Sequence, residues 1–154
     1  MRTRNWIITT AIVVLISSTV TLGASGATSK AGKQYLCDVH NYKVGVLPFV
    51  QRANKWNSST TDAQAYSDAK PAIRALSQFQ KSLLTQKWPK KVQSAIFTLY
   101  SDVAPLIGDL NALQTVDILN ISSWATKWQS DGAIVSSQSN LVRHLLGLPL
   151  NAKS

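Results

Sequence analysis

Glutamate is absent from this chain and cysteine occurs once, at Cys37. All seven acids are aspartates, at positions 38, 62, 68, 102, 109, 117 and 131. Dispersed in this way, they leave the paired carboxylates of glycosidase chemistry dependent entirely on tertiary contacts. A lone cysteine excludes an intramolecular disulfide framework, so the core must hold the fold unaided. The sequence has no Gly-rich phosphate loop, no nucleophile elbow and no paired-cysteine zinc motif. These absences assign no catalytic residue and no cofactor, and they favour a binding protein over an enzyme.

What is present begins with a charged N-terminus. Residues 1–5 carry Arg2 and Arg4 and no acid, and residues 6–22 form an uncharged run of 17 residues with Ile7, Ile8 and Ala11 to Ile16 at its centre. Gly23, Ala24, Ser25, Gly26 and Ala27 follow. A basic start, an apolar middle and a small-residue exit are the three parts of an export signal. Residues 1–27 therefore read as a signal peptide of a secreted or cell-envelope protein. The alternative is an uncleaved anchor, although a run of 17 residues lies at the lower edge of a membrane span. Leu22-Gly23-Ala24-Ser25 resembles a lipobox with Ser25 in place of cysteine. A hydroxyl is a far poorer nucleophile than a thiolate, so lipid attachment is not expected. Cleavage after Ala24 or Ala27 leaves about 127–130 residues, the size of one ordinary domain.

Beyond residue 33 the apolar residues fall at helical spacing almost throughout. Tyr35, Val39, Tyr42, Val46, Phe49, Ala53 and Trp56 succeed one another at alternating steps of 4 and 3, and Val92, Ile96, Leu99, Val103, Leu106, Leu110 and Leu113 repeat the pattern. Such steps draw one stripe along a helix, where strands would alternate. A second segment carries Tyr66, Ala69, Ile73, Leu76, Phe79 and Leu83 less regularly. A fourth, from about 118 to 146, carries Ile121, Trp124, Trp128, Val135, Val142 and Leu145. Gln129-Ser130-Asp131-Gly132 dilutes the middle of the fourth and favours a break there.

The connections fit four helices. Residues 57–62 are rich in N-cap types, Pro89 suits a first helical position after Lys87-Trp88, Thr115-Val116-Asp117 leads into the last segment, and Gly147-Leu148-Pro149 stops it. Loops this short set neighbours antiparallel. The expected fold is all-α: an up-down-up-down four-helix bundle over 34–149, with a short flexible leader at 28–33 and a tail at 150–154. Pro48 and Pro105 interrupt heptad runs, and Pro71 either kinks the second helix or marks its start. Proline-kinked helices are therefore expected, and kinks can open a pocket between helices.

Charge is lopsided, with 16 basic residues, 7 acidic ones and a net of +9. A cationic exported domain favours anionic partners such as phospholipid head groups or wall polymers. Lys81, Lys87, Lys90 and Lys91 surround the turn between the second and third helices, with Trp88 among them, a combination suited to an anionic membrane interface. Another protein is the alternative partner. Nucleic acid is not expected, because basic and aromatic residues do not interleave along one face. Cys37 and His40 stand at i and i+3, and an antiparallel bundle carries His144 towards them, so these three form a candidate zinc or copper ligand set without an evident fourth ligand. Trp124 and Trp128 suit core filling or a pocket wall. Asn57-Ser58-Ser59 and Asn120-Ile121-Ser122 match the glycosylation triplet.

Three groups of residues carry a family resemblance: Tyr35-Leu36-x-x-Val39, Trp88-Pro89 and Arg143-x-x-Leu146-Gly147-Leu148-Pro149. On these the chain resembles a loose group of exported actinobacterial helical proteins, many of them described as lipoproteins. The resemblance implies a helical envelope protein and supplies no activity and no site residue. The chain departs from the group at Ser25, where its members carry the lipidated cysteine.

Overall fold

In the computed structural model, residues 29–116 and 121–150 are described. The segment read as an export signal, residues 117–120 (with Asn120 of the second glycosylation triplet) and residues 151–154 lie outside the described residues. Four helices make up the described chain: α1 Lys30–Ala53, α2 Asp62–Thr85, α3 Lys90–Ala112 and α4 Ile121–Leu146. The described residues form an all-α four-helix bundle.

Local chemistry sets most of the boundaries. Ser29 caps α1 by accepting from the Gly32 amide, and Thr61 caps α2 by accepting from Gln64. At the end of α4 the Leu148 amide donates to the Arg143 carbonyl at 2.9 Å and the Gly147 amide to His144 at 3.0 Å. Gly147 takes φ +70°. This is the Schellman arrangement, which fits glycine because a Cβ is strained in the left-handed region. Asn57, in the connection between α1 and α2, accepts from the Ser59 amide and hydroxyl, a local turn that organises the glycosylation triplet.

Hydrogen bonds between helices give the directions. The start of α1 meets the end of α2 through Asp38 and Gln86, and the end of α1 meets the start of α2 through Trp56 and Asp68. Ala95 near the start of α3 accepts from Gln138 of α4, while Asp109 near its end accepts from Trp124. The Tyr35 hydroxyl, at the start of α1, lies 2.8 Å from the Ser139 hydroxyl late in α4. Each neighbour therefore runs antiparallel to the last, and α1 and α4 close the bundle with the lightest of these contacts.

The stripes of α1 and α3 are buried at every position named above, from Tyr35 to Trp56 and from Val92 to Leu113. Burying each large side chain contributes about 1.5–3 kcal/mol, which is how helices of this length hold in water. Phe49 is the hub of an aromatic group, with ring centres 5.7 Å from Trp56, 6.3 Å from Trp124 and 5.9 Å from Trp128, all edge to face. Trp124 and Trp128 stack at 5.9 Å and 10°. Both are buried, so the pair fills the core.

Three local expectations change. α1 begins at Lys30, inside the stretch read as a leader; its cap at Ser29 explains why. α4 runs unbroken through 129–132, because Gly132 is buried on the core stripe and packing outweighs its poor propensity. Pro71 does not start α2, which begins at Asp62. Pro48 and Pro105 also lie inside helices and both are exposed, where the carbonyl each one frees can be solvated.

α1 and α2 approach closely at one point. A Cβ built on Gly45 would overlap the Cβ of Ala75.

Candidate functional site

The antiparallel order brings the start of α1, the end of α2 and the start of α3 to one end of the bundle. Trp88 organises that end. Its indole turns inward and donates to the Leu83 carbonyl at 2.7 Å, satisfying an acceptor that the last turn of α2 would otherwise leave open. Its ring meets Tyr35 edge to face at 6.2 Å, and Gln93 donates to its carbonyl. With the ring held inside, Lys87, Lys90 and Lys91 are sent outward, and Lys81 is exposed on α2.

The sequence reading placed Trp88 at the head-group level of a membrane. Trp88 is 8% exposed and bonded within the fold, so most of its ring acts as a strut beneath the lysines. Sequence reasoning also missed two members of the cluster. Lys30 and Lys33, assigned to a leader, are exposed on the first turns of α1. Ser29 ahead of the Tyr35 stripe was the signal for that earlier start.

Six exposed lysines (30, 33, 81, 87, 90 and 91) thus share one end. Among the described residues none of the six pairs with a carboxylate. The one described acid at this end is Asp38, and its two oxygens accept from Gln34 at 3.1 Å and Gln86 at 2.7 Å. Asp62, Asp68, Asp109 and Asp131 lie towards the opposite end, and Asp102 near the middle of α3. Both helices that start at the lysine end have no acid in their first turn, and α3 has no side-chain cap. Their N-terminal dipoles are positive locally, and the C-terminal ends of α2 and α4 at the same end offset part of that field.

A groove of about 690 Å³ opens here, lined by Lys30, Ala31, Gln34, Gln86, Lys87, Trp88 and Pro89. Beside it lies a shallower depression with Lys30, Lys33, Gln34 and Cys37 on its walls. Leu84, one turn from Lys81, is an apolar side chain left 53% exposed at the same end.

The proposed metal ligands do not assemble. Cys37, His40 and His144 are each exposed, and among the described residues no three His, Cys, Asp or Glu side chains gather as a ligand group. Cys37 and His40 project from the outer side of α1, because Tyr35, Val39 and Tyr42 take the inner one. The Cys37 thiol instead lies 3.7 Å from the Asn41 amide.

Two other polar groups are structural. Arg143 is buried and donates to the Pro149 carbonyl at 2.7 Å, tying the C-terminal turn to α4. Burial lowers its pKa and raises that of Tyr42, the latter to about 12. At the far end the buried Asp109 carboxylate accepts from Lys127, which also reaches Asp131 at 2.6 Å. Burial raises the Asp109 pKa despite that partner.

Among the described residues no helix is long and apolar enough to cross a membrane. Comparison with protein-family models, curated proteins and solved structures gives no match.

Proposed function

We propose that this is an exported, non-enzymatic binding domain of the cell envelope that docks on an anionic surface through its lysine end. The observation that carries this is the gathering of six exposed lysines with no carboxylate partner where, among the described residues, a single amide-bound carboxylate stands. Each lysine near an anionic membrane contributes about 1 kcal/mol. The chain also enters α1 at this same end, so the apolar run at 6–22 connects there. If that run is retained as an anchor, the lysines face the bilayer it enters. If it is cleaved, the lysines alone supply attachment.

The test is sedimentation with vesicles containing phosphatidylglycerol across a salt series. Binding should be strong at low salt, weaken steeply as salt screens the charges, and vanish on purely zwitterionic vesicles. Absence of binding at low salt sinks the proposal. Leu84 favours a second reading, a cationic protein that perturbs the bilayer, and release of an entrapped dye upon binding would select it over simple docking.

A further inference from the structure

We infer that the groove lined by Lys30, Ala31, Gln34, Gln86, Lys87, Trp88 and Pro89 seats the head group of a single anionic phospholipid. This rests on the surface-docking reading and adds a discrete site to it. Lys30 and Lys87 supply ammonium groups for a phosphate. Gln34 and Gln86 have turned their amide NH₂ groups to Asp38, which leaves each carbonyl oxygen to accept from head-group hydroxyls. Ala31, Trp88 and Pro89 give an apolar wall against which the ester and first methylenes can lie.

That wall decides between lipid and free polyanion. A wall polymer or inorganic anion has no use for apolar surface, whereas an amphiphile gains by covering it. The Asp38 carboxylate behind the groove opposes any anion there, and its two amide bonds disperse part of that charge. A volume of about 690 Å³ is within the roughly 300–1,000 Å³ of small-ligand sites. A hydroxyl-bearing anionic head group, as in phosphatidylglycerol, matches this set of donors and acceptors.

The experiment is an NMR titration of the purified protein with short-chain phosphatidylglycerol below its micellar concentration, with phosphatidylcholine of the same chain length and with inorganic phosphate. Phosphatidylglycerol should give saturable shifts at Ala31, Lys87, the Trp88 ring and the Gln34 and Gln86 side-chain amides. Phosphatidylcholine should give none, and phosphate should leave the Trp88 ring unmoved. Equal shifts with phosphatidylcholine, or a full set with phosphate alone, overturn the lipid assignment. The variant Ala31→Trp fills the groove without changing charge. It should lose the saturable shifts yet keep salt-sensitive attraction to anionic vesicles. Wild-type vesicle binding without these shifts sinks the groove and spares the surface reading. Shifts without vesicle binding do the reverse.

Discussion

Two helical glycines give a sharp test of the packing, because the same substitution should act with opposite sign at each. Gly45 in α1 and Gly108 in α3 both forgo the propensity that alanine would bring to a helix interior, about 0.8–1.0 kcal/mol. At Gly108 a Cβ would meet nothing within 4 Å, so Gly108→Ala should stabilise by about 1 kcal/mol. At Gly45 the new Cβ overlaps that of Ala75, an atom fixed to its backbone that cannot swing aside. Overpacking of this kind costs about 1–3 kcal/mol. Against the propensity gain, Gly45→Ala should therefore be a net loss of up to about 2 kcal/mol.

The exchange Gly45→Ala with Ala75→Gly isolates the contact. It removes the overlap and leaves one glycine and one alanine across the interface, so the propensity changes cancel and stability should return close to wild type. The coupling in the double-mutant cycle should equal the overpacking cost, about 1–3 kcal/mol. Urea unfolding followed by circular dichroism reads all four proteins, and an equal m-value confirms that the comparison is of stability alone. A stabilising Gly45→Ala, or a double variant less stable than both singles, would refute the close approach of α1 and α2.

Other perturbations probe the polar core. Tyr35→Phe strips the buried Ser139 hydroxyl of its partner and should cost about 1–2 kcal/mol, and adding Ser139→Ala should recover most of that loss in chemical denaturation. Gly147→Ala places a Cβ at φ +70° and should cost about 1–2 kcal/mol, read as a lower thermal midpoint. Burial raises the Asp109 pKa above its unfolded value, so the folded state holds this proton more tightly. Its contribution therefore falls as pH rises from the unfolded pKa through the raised folded one. The stability difference between wild type and Asp109→Asn, measured by urea unfolding across that acidic window, should move against wild type with rising pH. A flat difference contradicts the burial argument.

The two regular stripes made α1 and α3 legible in the sequence, since hydropathy alone marks Tyr35 to Trp56 and Val92 to Leu113. α4 was harder for a physical reason. Its buried face runs through Gly132, Ser139 and Arg143 as well as Trp128, Val135 and Val142, and hydropathy discounts the first three. Gly132 is small, Ser139 is paired with Tyr35, and Arg143 reaches Pro149 through one guanidinium nitrogen while its Nε stays without a partner. Those partners are about 100 residues away or past the helix end, so no local pattern shows them. In α2 the core falls on Ala65, Ala69 and Ala72, while Tyr66 and Ile73 are only half-buried. The lysines of the α2–α3 turn were visible as a run. Lys30 and Lys33 joined them only through the chain's return, and the inward turn of Trp88 depended on its bond to Leu83.

On the proposed reading those lysines serve binding rather than solubility, and their placement supports it. The opposite end shows how this fold handles charge when structure is the purpose: Asp68 accepts from Arg52 and Trp56, and Asp109 and Asp131 share Lys127. At the lysine end, among the described residues, no lysine has a carboxylate partner. Lys90 and Lys91 also occupy the first turn of α3, where the dipole disfavours a cation by about 0.3–1 kcal/mol each at low salt. Lys90→Gln with Lys91→Gln should therefore raise stability by up to about 2 kcal/mol at low ionic strength, with the gain fading as salt is added. The same variant should bind anionic vesicles more weakly and with a shallower salt dependence. If the lysines only kept the protein soluble, they would not be needed against a helix N-terminus, and vesicle binding would not follow them. A variant that is no more stable at low salt and binds as wild type does would end the argument that this end gives up stability for recognition.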